Sequence, residues 1–176
     1  MTNNGIRDFY SKLGVDDYYK NYKLTYNNPH AEFIIECLNL IIAQFNIGYY
    51  LDLSCGNGIV SEFLQKNNYT EFKGCDPYFY DIYTEKFNKK CFNLSFEEIS
   101  KFSLPEKFDT IICSYALHLC PKSYLNNLLY QLSLNTKLLV IISPNKTTQI
   151  NDYFKLVFNT KIGKSHCMVY ESLTKF

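Results

Sequence analysis

Apolar and polar positions change period several times along this chain. From residue 31, Phe33, Cys37, Ile41 and Phe45 form one helical row, with Ile34, Leu38 and Ile42 beside it. That spacing predicts an amphipathic helix, which Asn46 to Gly48 ends. Extended apolar runs follow at about 49–54 and 70–76, separated by a helical segment over 59–67. A short helix is expected over 81–87 and a third strand over 90–94, and Ser95-x-x-Glu98 has the form of a capping box opening another helical turn. Residues 108–114 and 137–143 are continuous apolar runs, as central strands of a parallel sheet covered on both faces require. Between them Pro121 and Ser123 start a helix whose stripe is Leu125, Leu128, Leu129 and Leu132. A last helix is expected over 150–158. Two strands then flank Gly163-Lys164, ending in Cys167-Met168-Val169-Tyr170. Alternating strands and helices predict an α/β fold with a doubly wound sheet.

Residues 1–29 stand apart. They are rich in Tyr, Asn, Asp and Lys, and Pro29 interrupts any helix there. The expected organisation is an N-terminal arm over 1–29 and one domain over 30–176. There are no internal repeats, and no connection is long enough to be an inserted substrate domain. Substrate choice is therefore expected to depend on the arm. Its Tyr18, Tyr19, Tyr22 and Tyr26 suit a lid, because aromatic rings attract a cation. The alternative is an arm that packs on the domain with its tyrosine rings.

The densest chemistry lies at Tyr50-Leu51-Asp52-Leu53-Ser54-Cys55-Gly56-Asn57-Gly58, an apolar strand entering a glycine turn before a helix. Glycines at such a turn let backbone pass close under a ligand and leave amides exposed at a helix start. Asp76 ends the next strand, 18 residues after Gly58, a separation at which an acid reaches a ribose hydroxyl in a βαβ nucleotide site. A dinucleotide site wants a third glycine in G-x-G-x-x-G. Ser61 occupies that position, and an acid, Asp52, lies inside the strand.

This run resembles the first motif of the class I S-adenosylmethionine-dependent methyltransferases, L-D-x-G-C-G-x-G, with Ser54 where glycine is commoner. Phe108 to Leu119 and Leu138 to Pro144 resemble the family's fourth strand with its loop and its fifth strand. The resemblance implies a Rossmann-like sheet of seven strands, mostly parallel, with the last antiparallel. It implies S-adenosylmethionine as cofactor. Ser54, Cys55, Gly56 and Gly58 are then expected under the methionine and adenosyl parts, Asp52 at the amino-acid end, and Asp76 with Pro77 at the ribose. Phe96 and Glu97 are expected at the adenine, and Ser114 and Tyr115 under the sulfonium. The loop Ser114-Tyr115-Ala116-Leu117 lacks the Asn/Asp-Pro-Pro-Tyr run of methyltransferases acting on adenine or glutamine amides. His118 is the first candidate for acid–base work, since histidine titrates near neutrality. Tyr115 and His30 are the further catalytic candidates, His30 because it follows Pro29 at the arm–helix junction. Each histidine has a plainer alternative, a hydrogen-bonded loop residue or a helix-start residue. His166 is assigned no role.

Composition narrows the partners. Eighteen Lys and Arg against 17 Asp and Glu leave a formal charge of +1 over 176 residues, which exerts no long-range pull on nucleic acid or anionic lipid. The chain is expected in the cytoplasm, off the membrane, as a monomer or weak dimer acting on a small molecule. RNA or protein is expected as acceptor only with a partner subunit, and a non-catalytic scaffold is the reading from another class. Seven scattered cysteines without a C-x-x-C pair suit reduced, buried small side chains better than a disulfide frame or metal site.

Overall fold

The computed structural model describes residues 28–145, 150 and 152–174. Its elements are α1 (Ala31–Ile42), β1 (Tyr50–Leu53), α2 (Ile59–Lys66), β2 (Phe72–Cys75), α3 (Tyr80–Phe87), β3 (Cys91–Phe92) and α4 (Phe96–Phe102). Then come β4 (Phe108–Ser114), a 3₁₀ turn at Leu117–Leu119, α5 (Lys122–Asn135), β5 (Thr136–Ser143), β6 (Phe154–Ile162) and β7 (Ser165–Ser172). The seven strands form one sheet in the order β3-β2-β1-β4-β5-β7-β6. β1 to β5 run parallel, and β7 is antiparallel to both β5 and β6.

The continuous apolar runs are explained by burial on both faces. Period-2 alternation sends Leu51, Leu53, Ile111, Cys113, Leu139, Ile141, Met168 and Tyr170 to one face. There they meet Ile99 of α4 and Leu128, Leu129 and Leu132 of α5. Tyr50, Ile112, Val140, Ile142, Cys167 and Val169 go to the other, against Ile34, Cys37, Leu38 and Ile41 of α1, Val60 and Leu64 of α2, and Tyr83 of α3. The expected capping box is present. The Glu98 amide donates to Ser95 Oγ at 3.2 Å, and the Ser95 amide donates to Glu98 Oε2 at 2.8 Å.

One element departs from the sequence reading. The helix expected over 150–158 is absent, and Phe154–Ile162 is a strand on the sheet edge. A register shift between Leu156 and Phe158 breaks the strand alternation. It sends Phe154 and Phe158, four residues apart, to opposite faces of the sheet, Phe154 into the α4–α5 core and Phe158 against the α1 side, and it leaves Leu156 and Val157 exposed. A bulge of this kind is legible only once the partner strand is known. The two strands expected around Gly163-Lys164 are β6 and β7.

Register positions the site. Leu53 pairs with Cys75 and with Cys113, and Cys75 pairs with Phe92. Four parallel strands therefore end level, and their following loops leave the sheet along one line. Strand order reverses between β1 and β4, and ligands of such sheets bind outside the strand ends at that reversal.

Candidate functional site

A cleft of about 470 Å³ opens at this reversal. Its wall follows the strand order. Ser95, Phe96 and Glu97 follow β3; Asp76, Pro77, Tyr78 and Phe79 follow β2; Ser54 to Asn57 and Ile59 follow β1; Ser114, Tyr115 and Ala116 follow β4. Asn28, Leu119, Pro121 and Tyr124 complete it. No lysine, arginine or histidine is among these lining residues.

Asp76 organises the centre. Gly56 donates its amide to Oδ2 at 3.0 Å, and Tyr78 and Phe79 donate theirs to Oδ1 at 2.8 and 3.0 Å. The carboxylate thus ties the glycine loop to the turn after β2. It is nearly buried, and burial pushes its pKa up against the three amides, which favour the charged form. Oδ2, with one amide donor, keeps room for a ligand hydroxyl. The loop itself is tightly turned, with Ser54, Gly56 and Gly58 all at positive φ. Ser54 therefore occupies backbone space that glycine reaches more easily, which explains the family's commoner residue. Cys55 Sγ lies 3.7 Å from Cys91 Sγ of β3, and all seven cysteines are free. Phe96 lines the cleft while packing on the core below. Glu97 is half-buried and pairs with Lys101 at 2.5 Å.

Asp52 lies outside the cleft wall. As the third residue of a four-residue strand it shares Tyr50's face and points toward α2 and α3. It is fully buried, accepting from Ser61 Oγ at 2.8 Å, and Ser61 in turn bonds the Tyr83 hydroxyl. The serine in the third-glycine position is thus a partner for a buried acid. Asp52 Oδ1 and the Tyr50 hydroxyl have no hydrogen-bond partner among the described residues. Burial pushes the Asp52 carboxyl up to about 7. A folded-state pKa above the unfolded value means that the folded protein holds this proton more tightly. The Asp52 contribution to stability is therefore greatest below about pH 4 and declines as pH rises toward 7. Asp52→Asn keeps an acceptor for Ser61 without the charge. Its stability relative to wild type should rise by on the order of 2 kcal/mol between pH 5 and pH 8. Urea unfolding at the two pH values checks this, and a constant difference would contradict it.

The remaining expected residues divide. Ser54, Cys55, Gly56, Asp76, Pro77, Phe96, Glu97, Ser114 and Tyr115 line the cleft together. Gly58 does not; at φ 82° it begins α2 beneath the loop. His118 is exposed on the 3₁₀ turn and is not on the wall. Residues of a 3₁₀ turn lie about 120° apart, so Leu117 turns to the core and Leu119 to the cleft while His118 turns outward. His30 is off the wall too, but it stacks on Tyr115 with ring centroids 4.2 Å apart and planes at 9°. Tyr18, Tyr19, Tyr22 and Tyr26 lie outside the described residues.

Sequence reading placed Asn57 in the 55–58 loop under the ligand, and it did not single out Asn28, Ile59, Tyr78, Phe79, Ala116, Leu119, Pro121 or Tyr124. Tyr78 and Phe79 had a signal, since they follow an expected strand end. Tyr124 had none, because α5 reaches the cleft only through the turn after β4.

Comparisons with known proteins agree with this architecture. A family model described as a methyltransferase domain matches residues 27–171. An uncharacterized protein of Schizosaccharomyces pombe (strain 972 / ATCC 24843) is 27% identical over 190 residues, 82% of this chain and 76% of that protein. The N-methyltransferase NodS of Bradyrhizobium japonicum WM9, solved with S-adenosyl-L-homocysteine, superposes with a TM-score of 0.67 at 12% identity, over 98% of this chain and 100% of that one. An rRNA methylase from Escherichia coli gives 0.63 at 16% identity, over 98% and 77%. At these identities the two structures are alike in fold.

Proposed function

The chain belongs to the methyltransferase-domain family, and its cofactor is S-adenosylmethionine; from this we propose that it methylates a small molecule, or a small accessible group, at the β4 end of the cleft. The cleft wall carries the reading. Its strand-end order β3, β2, β1, β4 offers in turn a ring, a carboxylate, a glycine loop and an aromatic wall. That series suits adenine, ribose, the methionyl chain and the reacting end of one extended ligand. The family's neighbours differ in acceptor, so fold does not choose among acceptors. A wall without basic side chains among its described residues favours an uncharged or cationic acceptor over a polyanion.

When bound, S-adenosylmethionine supplies an activated methyl group on a sulfonium. The chain's own residues hold and orient. Asp76 would receive a ribose hydroxyl, Phe96 would pack on the adenine, and the 54–57 backbone would pass beneath the ligand. Ser114 and Tyr115 wall the end where the acceptor enters and keep water from it. Positioning of this kind lowers barriers by roughly 7–11 kcal/mol in favourable cases.

Calorimetry should show micromolar binding of S-adenosylmethionine and S-adenosylhomocysteine and none of NAD. Tight NAD binding without response to S-adenosylmethionine would overturn the assignment. With methyl-labelled cofactor and a fractionated extract, label should appear in small molecules. Label in RNA or protein would point to a partner-dependent enzyme, and binding without any transfer to a scaffold.

A further inference from the structure

Tyr115 is held more tightly than a wall residue requires. It follows β4 directly, at φ 53°, a backbone state that tyrosine rarely adopts. Its amide donates to the Ile142 carbonyl at 2.7 Å. Its hydroxyl bonds the Ser165 hydroxyl, and His30 lies flat against one ring face. Three distant segments therefore meet on one ring: the start of α1, the end of β4 and the start of β7.

Ser165 is placed by the β6–β7 hairpin. Ile162 pairs with Ser165 across a two-residue turn whose first residue is Gly163 at φ 56°. A Cβ on Gly163 would lie 2.6 Å from the Phe33 ring, so the turn sits directly on α1. Ser165 is fully buried. Burial also lowers the His30 pKa, which favours the uncharged ring beside a cation held at Tyr115.

We propose that Ser165 and His30 are positioning residues that fix the Tyr115 ring against the sulfonium, so that the site distinguishes the charged cofactor from its neutral product. The inference rests on the cofactor reading above. If adenine lies at the β3 end and ribose at β2, the sulfonium comes to the β1–β4 junction, where Tyr115 begins the wall. An aromatic face attracts a sulfonium more strongly than a thioether, because the full charge adds to the contact that either sulfur makes. The arrangement therefore favours S-adenosylmethionine over S-adenosylhomocysteine and lessens inhibition by product.

The test needs no acceptor. The affinities of the full chain for S-adenosylmethionine and S-adenosylhomocysteine are measured by calorimetry, with thermal unfolding as the control for folding. Tyr115→Leu should lower the preference for S-adenosylmethionine by roughly three- to thirty-fold, weakening S-adenosylhomocysteine binding less. Tyr115→Phe keeps the ring and removes the hydroxyl. It should cause a smaller loss of preference, matched by Ser165→Ala and not increased in the double variant. His30→Ala should act in the same direction. Equal weakening of both ligands, or an unchanged ratio in Tyr115→Leu, would overturn the inference while leaving the cofactor assignment intact. Should Tyr115→Leu fail to fold, an unchanged ratio in both Tyr115→Phe and Ser165→Ala would overturn it equally. Wild-type protein that binds neither ligand would overturn the cofactor assignment itself, and this inference with it.

Discussion

Asp76→Ala is expected to weaken S-adenosylhomocysteine binding at least ten-fold, and also to lower stability. On the proposed reading its carboxylate serves two purposes. Toward the ligand it offers charge-assisted hydrogen bonds, whose loss costs roughly 1.5–3 kcal/mol. Within the fold it accepts from the amides of Gly56, Tyr78 and Phe79. Alanine leaves those donors without their acceptor in a nearly closed space, at a cost on the order of 3 kcal/mol. Calorimetry and thermal unfolding on the same sample separate the two effects. Asp76→Asn refines the test, since it keeps one acceptor oxygen and should recover part of the stability without the affinity. Unchanged affinity in both variants would place the ribose elsewhere.

Gly58→Ala is the second large expected effect, and it falls on stability. A Cβ there would lie 2.3 Å from Phe87 Cε2 and 2.7 Å from Cζ, at φ 82°. Swinging Phe87 aside would break its edge-on packing to Phe72 and its contact with Tyr83. Left-handed backbone and overpacking together cost about 3 kcal/mol. For a chain of this size that lowers the melting temperature by about 6–12 °C. The same clash moves the first turn of α2, so cofactor affinity should fall as well. A melting temperature within about 2 °C of wild type would show that the contact between α2 and α3 is looser than described.

Both effects were partly legible beforehand. Gly58 and Asp76 stand out in the sequence because a glycine turn after one strand and an acid after the next have one chemical use in common. What was hidden is their second use, as a packing contact and as a loop clamp. Both depend on α3 and the turn after β2 lying over the β1 loop. Asp52 shows the same gap from the other side. Its position within the motif marks it as a ligand residue, yet strand alternation turns it to the helix face opposite Ser61. The sign of that alternation is set by which neighbours are apolar, and Leu51 and Leu53 already take the other face. His118 and His30 were matched candidates by residue type and position. A short 3₁₀ turn sends one outward, and the start of α1 lays the other on Tyr115.

The sequence by itself determined the sheet and the place of the site. Long apolar runs can be buried only between two helical layers, and a glycine loop and an acid at consecutive strand ends meet wherever parallel strands end level. Tertiary structure alone decided how far the edge strand extends and how the aromatic wall is built. β6 is a strand because β7 offers it hydrogen bonds, against an apolar spacing that reads equally as helix. The His30–Tyr115–Ser165 contact joins residues 85 and 50 positions apart in the chain. No local pattern encodes such a contact, because it arises where the start of one helix, the end of one strand and a hairpin pack together.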